Sequence, residues 1–548
     1  MMRHEPHPFS GFVYQAIGNE KVRVENPKNG KYGLFNWDGT WIEGDITHAD
    51  PHFLRFIGGP DLTPEHDVIW TRLKTPKGEQ TSPDGYMFGR MPEGLERVVG
   101  SYDPAPAMGT EKGMRSAAHV DLDYFLDNDR KPELVPAVYR KESPLEDGPQ
   151  RISTERYFEP AYHAMEVEKI WRRTWQVACR EDDIPNIGDY HVYTVADLSW
   201  LIVRVSETEI KAHQNACLHR GRILRECDGH KATEFRCPYH GWSWKLDGSI
   251  KEIVCEWDFS GVREDVSQLP GAKVGTWGGW VFINPDPKAR PLDDYLGPDM
   301  IAQYAKFDHS SFWKQAHVTR VVPANWKVAM EAFLEGWHVL ATHPQLLLLN
   351  WENAADRYDV FGNWGRAGHV TIGRGSAHRK ILIDRDQLLA EYRMTADASR
   401  DYHRQIIGDE VDKFSDAELN DNSYCDLFPN FHPWAGFSRI NFRFRPYGSN
   451  PEKALMDVIY IAPWPKDKPK PPAATQNILR EDQSWTEAEE LGTLARIIDQ
   501  DCANMVSVQA GMKTKYPRYV WLSSYQESKL RNFHNNYDRL MGLDEYQD

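Results

Sequence analysis

The chain has 548 residues, 41% of them apolar and 27% charged, with a formal net charge of −16. That length suggests two to four domains with sizeable cores, and the acidic balance disfavours nucleic acid and anionic membranes as partners. No window approaches the roughly 20 apolar residues of a membrane span, so a cytoplasmic protein is expected.

Taken from the amino terminus, Met1 to Pro8 lacks the apolar core of a signal peptide. Residues 1–148 carry no chemical motif, but the strand-like runs Gly33–Gly44 and Val68–Leu73, with turn signals between them, predict a folded β-rich piece. Its tryptophans are expected in the core. A role in bracing an oligomer or covering the mouth of a site fits such a piece. Asp127–Gln150 mixes charge with proline and glycine, as linkers do. Residues 149–292 then read as a leading helix, Ala164–Trp175, and a small all-β domain with strands at Tyr190–Val195 and Trp200–Val205 and a last strand at Gly279–Asn284. In residues 293–548 helices alternate with strands including Arg439–Arg445 and Leu455–Ile461, an α+β arrangement in which an antiparallel sheet grips helices. Lys466–Ala474 is expected as a surface loop.

Within the small β-domain stand two mixed pairs, Cys217-Leu-His219 and Cys237-Pro-Tyr-His240, with seventeen residues between them. Two thiolates on one iron and two imidazoles on the other are the ligand set of a Rieske [2Fe-2S] cluster, whose potential lies above that of an all-cysteine centre. Structural zinc takes similar ligands, although its modules usually run a cysteine pair and then a histidine pair. The other five cysteines are scattered and odd in number, which argues against a disulfide framework, and Cys227 between the pairs is expected to be a structural thiol.

A second group follows in Asn325–Pro344. Glu335 and His338 are three apart and would share a helix face, whereas His338 and His343 are five apart, which a straight helix would splay by roughly 140°. The helix should therefore end before His343, and Pro344 supplies the reason by disfavouring helical backbone at the preceding residue. Two histidines and one carboxylate form the facial triad of non-heme Fe(II) oxygenases, which leaves positions open for dioxygen. For the carboxylate, a helical stripe of Leu494, Ile498, Asp501, Met505, Val508 and Met512 puts one aspartate in an apolar row. A buried carboxylate needs a cation or donors. A ferrous ion could be that partner, and so could a core arginine. Asp499 turns to the opposite face and is expected in solvent.

These residues, with their wrappings Cys217-Leu-His-Arg-Gly221 and Cys237-Pro-Tyr-His-Gly-Trp-Ser-Trp244, resemble the large (alpha) subunits of Rieske non-heme iron ring-hydroxylating oxygenases, from Ile152 to the end of the chain. Respiratory Rieske proteins add two cysteines to the cluster loops, where this chain has Arg222 and Tyr239. The resemblance implies a cluster held by Cys217, His219, Cys237 and His240, and a mononuclear Fe(II) held by His338, His343 and Asp501. Asp501-x-x-Asn504-Met505 matches the family's late ligand helix. It also implies that Glu335, an aspartate in most members, bridges a cluster histidine, His240 or His219, to an iron histidine across a subunit boundary in a homotrimer, with or without a small subunit.

By the same resemblance the chain is a terminal oxygenase. It would take electrons from a separate NAD(P)H-dependent reductase or ferredoxin, activate dioxygen, and dihydroxylate, monooxygenate or dealkylate a small hydrophobic, aromatic or polycyclic substrate. No phosphate-binding glycine loop is present to hold a nicotinamide or flavin within this chain. Ala332, Phe333, Trp434 and Phe437 are candidates for an apolar pocket. Two alternatives stay open at this point: a Rieske-type electron carrier with a non-catalytic second domain, and a zinc-holding binding protein.

Overall fold

A computed structural model describes residues 3–8, 10–60, 72–75, 78–81, 117–144, 148–347, 356–368 and 385–543. Near the amino terminus five short strands, His4–Pro6, Val13–Gly18, Lys21–Glu25, Tyr32–Asn36 and Trp41–Gly44, form an antiparallel sheet in sequential order. Alternation places Tyr14, Val22, Val24 and Phe35 on one face. Phe53, Leu54 and Ile57 of the helix Pro51–Gly58 close that core. The helix starts where the Asp50 carboxylate accepts the N–H groups of His52 and Phe53, with Pro51 in its first turn. The β-rich expectation for Gly33–Gly44 is met by a hairpin, but Trp41 sits on the outer side of the edge strand, 44% exposed, and not in the core. Val68–Leu73 lies largely outside the described residues.

The stretch expected as a linker is packed down. Tyr139 is fully buried and donates to Asp421 at 2.6 Å, and Arg130 grips Asp416 at 2.5 Å and Asp397 at 2.6 Å. The charges that suggested a solvated connection find partners within residues 293–548.

Six antiparallel strands, in the order Tyr190–Val195, Leu198–Arg204, Ile210–Gln214, Gly271–Trp277, Trp280–Asn284 and Gln176–Arg180, form the small β-domain. A three-stranded sheet of Phe235–Arg236, Ser243–Trp244 and Ile250–Glu252 supports one of its loops, and Leu201, Val203, Phe235, Trp244 and Leu269 fill the space between. The leading helix is Pro160–Glu166, running on into a wider turn over Val167–Trp171.

The remaining unit is built on an eight-stranded sheet in the order Arg357–Phe361, Trp364–Gly368, Tyr424–Leu427, Phe431–Pro433, Ile440–Pro446, Ala454–Ala462, Trp313–Val322 and Asn477–Leu479. All its pairings are antiparallel except the last. The long helix Leu494–Thr514 contributes Leu494, Ile498, Asp501, Met505 and Met512 to the interior, but Val508 is exposed. Gln509 takes the inward place, accepting from the Asn325 N–H at 3.0 Å and donating to the Tyr157 carbonyl at 3.1 Å. Among the described residues no helix is long and apolar enough to cross a membrane.

Candidate metal centres

The two cysteine–histidine loops have one backbone pattern. In each, the cysteine carbonyl accepts from a glycine N–H four residues on, Gly221 to Cys217 at 2.8 Å and Gly241 to Cys237 at 3.1 Å. The cysteine N–H then closes the loop onto the carbonyl five residues on, Arg222 at 2.9 Å and Trp242 at 2.8 Å. Both glycines have positive φ, 74° and 79°, which a side chain would strain. The loops meet tip to tip, with the His219 and His240 rings 4.6 Å apart and His219 stacked on Trp242.

Both thiols are buried and His240 is exposed. Burial raises the Cys217 thiol above its ordinary range, against the N–H groups of His219 and Arg220 that face its sulfur, and Cys237 beside it adds to the rise. Two adjoining thiolates would need positive charge between them. His219 Nδ1 is buried without a protein partner, as an imidazole awaiting a ligand would be. The two thiols adjoin each other and the two imidazoles adjoin each other, the pairing that a two-iron cluster needs, one pair at each iron.

His338, His343 and Asp501 do converge, with one ligand atom from each within 4.8 Å of the others. Asp501 Oδ1 lies 2.9 Å from His343 Nε2 and 3.5 Å from His338 Nε2. Divalent first-row ions bind such groups at about 2.1 Å, so one ion can span those separations. The electrostatics ask for a cation. Burial opposes charge on His338, but Glu335 and Asp501 outweigh it and push its pKa up to about 10. Burial likewise opposes charge on Asp501, yet His343 and His338 hold it down at about 2.

The local chain shape differs from the expected helix. Trp326–Glu331 is helical and ends there, and a second short helix runs from Val339 to Thr342. Between them Glu335 and His338 face each other across a turn: Glu335 Oε1 lies 2.7 Å from His338 Nδ1, and Oε2 accepts the His338 main-chain N–H at 3.0 Å. Gly336 N–H donates to the Tyr358 hydroxyl at 3.0 Å. These bonds divert two main-chain donors from a helical ladder. The helix end at Thr342, with His343 outside it, is as Pro344 requires. Asp499, expected in solvent, is half-buried, accepting from the Ser484 hydroxyl and from the Trp485 N–H at 3.1 Å. Cys227 is exposed, not a packed thiol.

A cavity of about 80 Å³ opens beside His338, His343 and Asp501, with Ala332, Phe333 and Trp434 in its wall. Phe437 lies elsewhere, among Phe307, Phe414 and His403. Sequence reasoning missed His432, two residues before Trp434 on the strand running into the site, and Tyr424, both in the same wall. Strand alternation from Trp434 was the available signal for His432. It also missed Gln500, 2.9 Å from His343 Nδ1, for which spacing gave no signal.

Residues 309–543 match the family model of the ring hydroxylating alpha subunit (catalytic domain), and residues 174–260 match the Rieske [2Fe-2S] domain, together more than half of the chain. The large subunit of anthranilate 1,2-dioxygenase from Acinetobacter baylyi is 29% identical over 203 residues, 36% of this chain and 43% of that one. The carnitine monooxygenase oxygenase subunit of Escherichia coli K12 is 30% identical over 204 residues, 36% and 53%. The chain thus spans about half the length of the curated relatives it matches. Among solved structures, a naphthalene 1,2-dioxygenase mutant bound to phenanthrene superposes with a TM-score of 0.54 at 20% identity, over 74% of this chain and 94% of that one, a likeness of fold.

Proposed function

Because the chain belongs to the family of Rieske ring-hydroxylating alpha subunits, with a [2Fe-2S] domain and the family's iron-binding catalytic domain, we propose that it is a terminal oxygenase. The observation that carries the reading is the convergence of His338, His343 and Asp501 on one point beside an apolar cavity. When bound, the cluster supplies single electrons and the ferrous ion supplies the dioxygen chemistry. The protein's part is to hold and orient. Cys217, Cys237, His219 and His240 would hold the cluster, and His338, His343 and Asp501 would hold the ion beside the cavity. Glu335 accepts a hydrogen bond from His338 Nδ1–H, which leaves Nε2 free to ligate.

The cavity wall selects the substrate. Phe333, Phe442, Ile440, Val339 and Leu494 exclude water from the site. Trp434 Nε1 and His432 Nδ1 are buried without a protein partner, and burial keeps His432 neutral. The substrate we infer is a single-ring or comparably small apolar molecule carrying one polar group for these two atoms, since about 80 Å³ leaves little room for a polycycle. Electrons come from a separate NAD(P)H-dependent reductase or ferredoxin. The exposed side chains Tyr239, beside His240, and Val254, beside Gly241, support a docking face there, for that partner or for the next protomer of a homotrimer. A cytoplasmic setting suits seven cysteines with no disulfide among them.

Metal analysis and oxygen uptake test this. The expected result is about three irons per chain, in the Rieske and mononuclear proportions, a Rieske electron paramagnetic resonance signal on reduction, and substrate-dependent oxygen consumption with a surrogate reductase. Asp501→Ala should lose the mononuclear iron and keep the cluster signal. Two irons in the unaltered chain, with no oxygen uptake on any small aromatic, would reduce the protein to an electron carrier.

A further inference from the structure

The amino-terminal unit reaches the iron site. Helix Pro51–Gly58 lies against helix Leu494–Thr514, and Arg496 donates to the Pro60 carbonyl at 2.6 Å. One contact goes deeper. Gln500, fully buried and adjacent to Asp501, donates from Nε2 to the main-chain carbonyl of His52 at 2.8 Å, while its Oε1 sits 2.9 Å from His343 Nδ1.

The direction of this chain of bonds follows from what each atom can do. A main-chain carbonyl only accepts, so the nitrogen of the Gln500 amide must face His52 and the oxygen must face His343. That oxygen also only accepts, so His343 must carry its proton on Nδ1, which leaves Nε2 as the lone pair turned to Asp501 and the ion, 2.9 Å from Oδ1. Gln345 cannot set this direction. It and Gln500 exchange two amide bonds, at 2.7 and 3.2 Å, and that pairing survives if both amides rotate by half a turn. With both reversed, the Gln500 NH₂ would meet His343 Nδ1 and select the tautomer that cannot ligate through Nε2. Among the described residues it is the His52 carbonyl that breaks the tie.

We propose that the amino-terminal unit is a positioning element of the mononuclear iron centre: the His52 carbonyl orients Gln500, and Gln500 fixes His343 in its ligating tautomer. The proposal rests on the iron reading of His338, His343 and Asp501. It gives residues 3–60 a function at the metal, beyond bracing or covering.

Equilibrium titration of the iron-depleted mononuclear site with ferrous ion in the full-length protein tests it, with the cluster signal as an internal control. Gln500→Met, which keeps the shape and loses the bonds to His343 and His52 together with the pair to Gln345, should weaken ferrous binding by about 10- to 100-fold. Gln500→Glu should keep it within a few fold, because either carboxylate oxygen accepts the Nδ1 proton without help from His52. The N-terminal contribution is isolated by Ile57→Asp, which opens the small core. It should weaken ferrous binding in the natural background and leave it unchanged in the Gln500→Glu background. Equal weakening in both backgrounds would mean a merely structural role, and native affinity in Gln500→Met would overturn the proposal outright. If the unaltered chain bound no ferrous ion, the proposal would fall with the iron reading, a result distinct from either of these.

Discussion

At the scale of single residues, the proposed iron site has its histidine Nδ1 donors turned away from the point where the three ligand atoms converge. Glu335 accepts a hydrogen bond from His338 Nδ1–H and Gln500 Oε1 faces His343 Nδ1, an arrangement that turns both Nε2 atoms towards Asp501. Glu335 does more than accept, because its second oxygen holds the His338 main-chain N–H. Glu335→Gln can satisfy only one of these with its oxygen and points an NH₂ at the other. Turnover should fall 10- to 100-fold while the reduced-cluster signal is unchanged, as steady-state oxygen uptake beside electron paramagnetic resonance would show. Unchanged turnover would remove Glu335 from the machinery. The residues at this scale that sequence exposed were those with a pattern: mixed cysteine–histidine pairs, a histidine before a proline, an aspartate in an apolar stripe. Gln500, His432 and Tyr358 escaped because an amide, a strand histidine and a tyrosine acquire their roles only from partners distant in the chain.

At the scale of elements, the decisive feature is where helices stop. Pro344 was enough to end the helix before His343. The earlier break after Glu331 was not legible, because Glu331 to His338 contains no helix breaker except Gly336, and the competing bonds come from the Glu335 side chain and from Tyr358 on another strand. The same logic predicts the effect of Pro344→Ala. With helical backbone open to residue 343, the short helix can extend by one residue and turn the His343 ring about 100° from its present direction. A backbone preference of about 1 kcal/mol corresponds to roughly fivefold weaker ferrous binding. A titration of the variant that matched the natural protein would show that Gln500 and Asp501 alone determine the direction of His343.

At the scale of the whole molecule, the order of units was readable from sequence because each has its own periodicity, alternating in the two β-rich parts and helical in the ligand segments. The packing of the first unit against the last was not, since it runs through a backbone carbonyl and an amide with no sequence signature. Burial on this scale also sets a response to acid. His309, His317 and His403 are buried and donate, respectively, to the Gly436 carbonyl, the Asp457 carboxylate and the Ser399 carbonyl. Burial pushes each down to about 4 from an ordinary 6.5. The unfolded chain therefore binds protons that the folded chain refuses, and stability that is complete above pH 6.5 is lost as the pH falls towards 4. Buried carboxylates raised by burial, such as Glu418 and Asp426, act in the opposite sense over part of that range, so the histidine contribution is best read as a difference. His403 stacks on Phe437 with ring centroids 4.0 Å apart, a place a phenyl ring can fill. His403→Phe should give a shallower fall in melting temperature between pH 7 and pH 5 than the natural protein, because one proton-accepting group has been removed from the unfolded state. Parallel curves would mean that His403 titrates normally in the folded protein, and that solvent reaches the aromatic cluster around Phe437.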